Sequence, residues 1–290
     1  LIPKFAVGFK LPITSIKPLE SRQLMKKTYI LCAFIILFAS CSEYQKALKS
    51  EDISVKFTEA SKQYEAEKYN KAIRLFEQIA PAYKGKPSAE KMFYMYAQSL
   101  YKTKQYYTAA YQFESFAASY PKSEKMEEAS FLGAKCFSKL SPVYSLDQVD
   151  TYKAIDKLQS FIDRYPSSAY MDEANLVAKE LREKLEKKAF EIAKQFNTIS
   201  DFKSSMVAFD NFILNYPGTH YKEQALFYKL DSAYQLAINS VPAKMEERLL
   251  DAKTMYNNLM KFNSSSEYKD KADVMLARID NDLKQFSKIN

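Results

Sequence analysis

The sequence predicts an all-α protein, a superhelical solenoid of about five helical hairpins followed by a C-terminal capping helix. Two observations predict this class. One helical pattern of small and large apolar residues recurs along the chain, and stacked repeats of this kind build solenoids. The chain also has only 4 glycines in 290 residues. This scarcity disfavours dinucleotide-binding folds, phosphate-binding loops and all-β sandwiches, because they need glycine where φ is positive.

Composition and charge exclude several classes of function. Hydrophobic residues are 47% and charged residues 27% of a chain with one histidine, so a globular protein is indicated and a multi-histidine metal site is excluded. The net charge is +8, but residues 1–40 hold six basic residues and one acidic, which leaves 37 basic and 34 acidic residues beyond them. This nearly neutral remainder argues against a nucleic-acid partner.

The first forty residues are typical of a targeting segment. Lys26 and Lys27 precede an apolar run over residues 29–39, which is shorter than the roughly 20 residues of a membrane-spanning helix and fits a secretory signal. We expect translation to begin at Met25. Residues 1–24 would then be an over-extended start, and residues 25–40 the signal peptide.

The end of this segment resembles a bacterial lipobox. The recognition residues are Leu37, Phe38, Ala39 and Ser40. The resemblance implies cleavage before Cys41 and its acylation, with palmitate among the chains, at the head of a lipidated linker over residues 41–50. Phe38 departs from the pattern, since a smaller aliphatic residue is usual there. The alternative is an ordinary signal peptide with an incidental cysteine. Ser42 and Glu43 indicate the periplasmic face of the outer membrane.

The remaining cysteine, Cys136, has no intramolecular partner if Cys41 carries lipid, because Cys32 lies inside the signal. No disulfide framework is therefore predicted. Cys136 lies in an apolar helical stretch, where it is expected to be a small core residue.

The repeat aligns on a tyrosine, which is followed by proline in three of four copies. The tyrosines are Tyr83, Tyr120, Tyr165 and Tyr216. Eleven residues earlier stand the small residues Ala72, Ala109, Ala154 and Ser205. Large residues follow at Phe76, Phe113, Leu158 and Phe209, then at Ile79, Phe116, Phe161 and Phe212. The i, i+4, i+7 spacing is one face of an α-helix, and proline ends it. A degenerate fifth copy has Leu249, Ala252, Tyr256 and Leu259, with Asn263 in the tyrosine's place.

A second helix is predicted after each stop, over residues 89–103, 125–140, 169–196 and 222–239, and Ala60, Tyr64 and Glu67 predict one more before the first tyrosine. Residues 267–287 predict a final helix, with capping-box spacing at Ser264 and Glu267. This helix would cover the last apolar face of the array. A partner-binding role is the alternative for it.

These hairpins resemble the tetratricopeptide repeat over residues 51–262, followed by a C-terminal helix over 263–290. The periods are 37, 45, 51 and 47 residues, longer than the usual 34. A plain helical bundle is the alternative.

Four stretches carry a closer resemblance. They are residues 68–73, 165–170, 181–190 and the connector 141–148. With the lipobox, they resemble the BamD family, the tetratricopeptide-repeat lipoproteins of the outer-membrane β-barrel assembly machinery, in Bacteroidetes-type members. The resemblance implies a non-enzymatic, lipid-anchored subunit without cofactor. Its partners would be the periplasmic domains of the barrel-forming assembly protein and unfolded outer-membrane barrel precursors.

No catalytic or metal-ligand spacing occurs in the sequence. His220 is expected in an exposed turn, and the carboxylate pairs Glu127–Glu128 and Glu246–Glu247 on solvated helix faces. A basic cluster interleaved with acidic residues indicates pairs that stabilise one helix. It consists of Lys184, Lys187 and Lys188 with Glu183 and Glu186.

A candidate partner-binding face comprises Tyr94, Gln98 and Tyr101, which are spaced 4 and 3 residues apart. By position in the repeat these residues should line the concave side of a solenoid. Packing between repeats is the alternative for them. On the same helix, Phe93, Ala97 and Leu100 are expected to pack inward.

Two other functions stay open from the sequence. One is a periplasmic tetratricopeptide adaptor in envelope division or glycan uptake. The other is the helical half of an enzyme acting on peptidoglycan, which is disfavoured because no catalytic domain remains once the repeats are counted.

Overall fold

The computed structural model describes residues 43–286, and nearly all of this range is helical. No strand occurs between residues 43 and 286, so the predicted all-α class is confirmed there. The helices are α1 (43–49), α2 (Ile53–Glu65), α3 (Tyr69–Tyr83), α4 (Ala89–Lys102), α5 (Tyr106–Ser119), α6 (Met126–Leu140), α7 (Val149–Arg164), α8 (Met171–Thr198), α9 (Phe202–Asn215), α10 (Lys222–Ile238), α11 (Pro242–Phe262) and α12 (Lys269–Phe286). The predicted signal peptide, lipobox and Cys41 lie outside the described residues.

The chain forms two compact units that divide after Lys104. In the first unit, α2 and α3 pair as a hairpin and both contact α4. Helix α2 begins where the Asp52 carboxylate accepts a hydrogen bond from the Ser54 backbone N–H at 2.7 Å, which satisfies one of the free donors of a helix N-terminus.

The second unit runs from α5 to α12 and contains the hairpins α6–α7, α8–α9 and α10–α11. Each even-numbered helix from α6 to α10 also contacts the next even-numbered helix. This nearest-neighbour order is that of a helical solenoid, as predicted. Helix α12 covers its end, because Ala272 and Ile279 pack into the clusters formed by α10 and α11.

The repeat positions are the core positions of the hairpins. The small residues Ala72, Ala109, Ala154, Ser205 and Ala252 are fully buried. The large residues that follow them are buried too, except Tyr256, which is half-buried. The phenylalanines at the large positions of the copies after the first are all buried, namely Phe113, Phe116, Phe161, Phe209 and Phe212. Cys136 is a buried core residue, as predicted. The small residue lets two helices approach, and the large one fills the space beside it.

The tyrosine–proline pairs end their helices through one shared backbone geometry. Tyr120, Tyr165 and Tyr216 have φ of −126°, −126° and −129°, with ψ of 61°, 62° and 65°. Each backbone N–H still donates to the carbonyl four residues earlier. The following proline disfavours helical ψ at the tyrosine, so the helix stops there.

Short turns join the helices of a hairpin through a left-handed residue. Glu67 has φ of 56° between α2 and α3, and Ser200 has φ of 64° between α8 and α9. The prediction that extended α2 to Glu67 is therefore wrong, since the helix ends at Glu65.

Two further expectations at the ends of the array are corrected. The capping box at Ser264 and Glu267 does not form, because α12 begins at Lys269 and Ser266 Oγ instead accepts from the Tyr268 N–H at 3.1 Å. At the other end, residues 43–49 were expected to be linker and are helical.

Candidate partner-binding surfaces

Helix α4 carries the three residues predicted to bind a partner. Gln98 is buried and donates from Nε2 to the Tyr94 hydroxyl at 2.7 Å, while Tyr94 and Tyr101 are half-buried. Gln98 therefore orients a tyrosine rather than reaching solvent itself. Assignment of these three residues to a partner stays a prediction.

The rest of α4 belongs largely to the core of the first unit. Ala97 and Leu100 are fully buried, as expected, but Phe93 is only half-buried because Met92 and Met95 take the inward positions beside it. Burial, together with the charge of Glu77, raises the pKa of Tyr96 to about 12, because the core disfavours the charged phenolate.

The second unit offers a different surface, the connector over residues 141–148 between α6 and α7. Hydrogen bonds from one of its own side chains hold this connector in a compact loop. The Gln148 amide donates from Nε2 to the carbonyl oxygens of Val143 and Leu146, both at 2.9 Å. Thr151 Oγ1 donates to Gln148 Oε1 at 2.7 Å, so one buried glutamine closes the loop.

The long helix α8 holds this connector in place. Lys184 Nζ donates to Ser141 Oγ at 2.7 Å, and Lys188 Nζ donates to the Leu146 carbonyl at 2.6 Å. Lys187 Nζ lies 4.5 Å from the centroid of the Tyr144 ring, within range of a cation–π attraction. Burial lowers the pKa of Lys184, against the opposing charge of Glu180.

These contacts correct the prediction for the basic cluster of α8. Lys184, Lys187 and Lys188 were expected to pair with Glu183 and Glu186 of their own helix. The ion pair that Glu183 forms is with Lys179, at 3.9 Å, while the three lysines reach a segment about forty residues away. The Lys184 hydrogen bond is part-buried, so it contributes more than an exposed ion pair on a helix surface.

The outer side of the connector is apolar. Val143, Leu146, Val149 and Tyr152 are each 58–68% exposed. Tyr144 and Ser145 of the connector also line a cavity of about 430 Å³ together with Lys188, Glu191 and Ile192 of α8. Exposed apolar side chains on a rigid segment are a feature of protein interaction sites.

The sequence contains a signal for this arrangement besides its helical periodicity. Lys184 and Lys188 are four residues apart, on one helix face, and the connector holds Pro142, which supplies no backbone donor. The connector therefore has one backbone donor fewer than acceptors, which leaves room for a donor from elsewhere in the fold. Periodicity alone does not reveal which helix provides it.

The histidine, the buried cysteine and the acidic pair Glu127–Glu128 lie in different surroundings. His220 is exposed, with its ring 4.0 Å from that of Tyr221. Burial raises the pKa of the Cys136 thiol to about 12, which leaves it unreactive. Glu128 pairs with Lys125 at 3.0 Å, and Glu127 accepts a hydrogen bond from Ser168. No cluster of metal-ligating residues occurs between residues 43 and 286.

Within residues 43–286, every helix is too short or too polar to cross a membrane.

Fold and surfaces together define an all-α repeat protein built of stacked helical hairpins. The chain belongs to the YfiO family of outer membrane lipoproteins, whose family model matches residues 49–249. This family is BamD-like, so the resemblance found in the sequence is confirmed at the level of the family. No curated protein matches the chain significantly.

Two solved structures are similar to parts of the chain. One is the TPR2AB-domain:pHSP90 complex of yeast Sti1, with 14% identity, a TM-score of 0.39, and coverage of 81% of this chain and 86% of that one. The other is a Podospora anserina kinesin light chain with nearly identical TPR-like repeats, with 11% identity, a TM-score of 0.31, and coverage of 74% and 98%.

Proposed function

We propose that this protein is the lipoprotein subunit of an outer-membrane β-barrel assembly machinery. It would scaffold the complex and receive unfolded barrel precursors. The observation that carries the proposal is the match of residues 49–249 to a family of BamD-like outer membrane lipoproteins. The stacked hairpins support it, because arrays of this kind bind other proteins over extended surfaces.

The mechanism would be passive binding without a cofactor. Acylation at Cys41 would hold the protein on the periplasmic face of the outer membrane. Tyr94 and Tyr101 of the first unit would contact an extended precursor, with Gln98 orienting Tyr94 from beneath, since tyrosines supply apolar area with a polar tip. The connector 141–148 of the second unit would dock the barrel-forming subunit, because a loop held by side chains loses little freedom on binding.

A pull-down of the native complex from detergent-solubilised outer membranes tests this function. We expect a large β-barrel protein to co-purify in stoichiometric amount. The paired change Val143→Asp and Leu146→Asp should abolish that recovery. Val274→Asp, which alters an equally exposed apolar residue on α12, should not.

Depletion of the protein separates this function from its alternative. Folded outer-membrane barrels of many kinds should fall together. Normal barrel levels with a failure of division or glycan uptake would replace the assembly role with that of a periplasmic adaptor.

A further inference from the structure

The short helix α1 is packed onto the first hairpin and does not form a free tether. Tyr44 and Ala47 are buried. The Tyr44 hydroxyl donates to the Lys71 carbonyl at 3.4 Å. Lys71 Nζ lies 5.1 Å from the centroid of the Tyr44 ring. A seven-residue helix is unstable alone in water, so its docking on α2 and α3 explains why residues 43–49 are helical.

Polar contacts at both ends fix the direction of α1. Glu43 Oε2 lies 2.6 Å from Lys62 Nζ, near the end of α2. Five residues later, the Leu48 carbonyl accepts from Lys56 Nζ at 3.4 Å, near the start of α2. Helix α1 therefore runs antiparallel to α2, and its first residue lies at the end of the hairpin that carries the turn 66–68.

This direction limits where a lipid attached to Cys41 could lie. Cys41 is two residues before Glu43, and two peptide units span at most about 8 Å. An acylated Cys41 would therefore be held closer to the turn 66–68 than to the opposite end of the hairpin, where residues 84–88 join α3 to α4. The length of α2, 13 residues, separates the two ends by about 20 Å.

The turn end carries a pair of tyrosines. Tyr64 and Tyr69 pack edge to face with centroids 5.7 Å apart, on either side of the turn. The exposed charges beside them are of both signs, Lys62 and Lys68 against Glu65 and Glu67, and Lys62 is paired with Glu43. Tyrosine is enriched at membrane interfaces, so the tyrosines and the short tether from α1, and not a net charge, favour contact with lipid headgroups at this end.

We propose that the first unit stands on the bilayer on this end, with the turn 66–68 and its two flanking tyrosines in the lipid headgroup layer. The proposal rests on the acylation of Cys41 proposed above. Docking of α1 removes most of the length from the tether, so the anchor fixes the orientation of the unit as well as its location.

The test measures the height of two positions above vesicles of phosphatidylethanolamine and phosphatidylglycerol. The full lipidated protein carries one fluorophore, on Glu65→Cys at the turn end or on Lys86→Cys at the opposite end. Both sites are exposed, and Cys136 is buried, so labelling is selective. A headgroup-attached nitroxide should quench the label at residue 65 and leave the label at residue 86 bright.

Two variants separate docking from folding. Tyr44→Ala should undock α1 and make the two labels equally quenched, while Gln45→Ala, an exposed change on the same helix, should preserve the difference. Insertion of twelve Gly/Ser residues before Glu43 leaves the packing intact but adds a flexible tether of about 20 Å. It too should abolish the difference.

Equal quenching of the two labels in the unaltered protein, or stronger quenching at residue 86, would overturn the orientation while leaving the assembly function intact. A chain that does not bind vesicles would overturn the anchor and this proposal with it. Loss of barrel assembly plays no part in the measurement, so failure of the proposed function is recognised separately.

Discussion

Two connections in the second unit reverse the direction of the chain by different means. Between α8 and α9, three residues reverse the chain, with Ser200 in the left-handed region. Between α6 and α7, eight residues do so, and none of them has a positive φ. The backbone shapes the short turn, whereas Gln148, Lys184 and Lys188 shape the long connector through side-chain hydrogen bonds.

The shape of the short turn is determined by its own residues, whereas the shape of the connector depends partly on residues far away in the sequence. A left-handed residue costs about 1–2 kcal/mol and needs no partner elsewhere in the chain. The connector takes two of its donors from residues 43 and 42 positions away, so its shape depends in part on the packing of α8. Short turns should therefore respond to backbone substitutions, and the connector to side-chain substitutions.

Substitutions in the buried core of the two hairpins should lower the free energy of unfolding most. Phe161→Ala and Phe209→Ala should each lower the free energy of unfolding by about 3–5 kcal/mol, because both side chains are buried and truncation leaves a cavity. Urea unfolding followed by circular dichroism measures this. Leu214→Ala, at a residue 77% exposed, should stay within about 0.5 kcal/mol. A loss below about 1 kcal/mol at both phenylalanines would contradict the repeat alignment.

The connector should give the next largest effect. Gln148→Ala should lower the free energy of unfolding by about 1–3 kcal/mol, because the connector loses the three hydrogen bonds of one buried side chain, although each partner keeps a second contact. Limited proteolysis should then cut between residues 141 and 148. Gln159→Ala is the matched control, since its hydrogen bonds lie at the exposed surface. Equal stability of the two variants would show that the connector holds its shape without Gln148.

Most of the fold was predictable, for reasons that follow from the same contrast. The small residue, the large residues and the tyrosine–proline stop act within one helix, so their spacing predicted helices such as α6 and α10 to within one or two residues. Tyr44 gave no such signal, because its packing depends on α3. Likewise, Lys188 has the same sequence context whether it pairs on its own helix or reaches the connector. Contacts that join distant segments require the fold before they can be assigned.

Substitutions at Ser200 in the short turn should change stability less, and the change should depend on how well the new residue tolerates a positive φ. Ser200→Val should cost about 1–2 kcal/mol, because a β-branched residue is strained at positive φ. Ser200→Gly should change stability by less than about 0.5 kcal/mol, since relief of the left-handed strain is offset by the greater freedom of glycine in the unfolded chain. Ser145→Val is the control, because Ser145 lies in the connector and has no positive φ. A cost at residue 145 equal to that at residue 200 would remove the distinction between the two connections.

The smallest expected effect is a pH dependence at Lys184. Burial lowers its pKa in the folded protein below the ordinary value of 10.5. Between the folded and unfolded pKa values the unfolded chain binds more protons, so stability rises with pH in that window. The neutral amine can still donate to Ser141, so the connector stays closed as the charge is lost.

Thermal unfolding at a series of pH values tests this. Relative to Lys184→Met, the unaltered protein should gain stability as the pH rises from neutral towards 10.5. Lys179→Met, an exposed change on α8, gives the background to subtract. A difference that falls with pH would mean that Lys184 is stabilised as a charged group, and that the connector is held by charge instead of by hydrogen bonds alone.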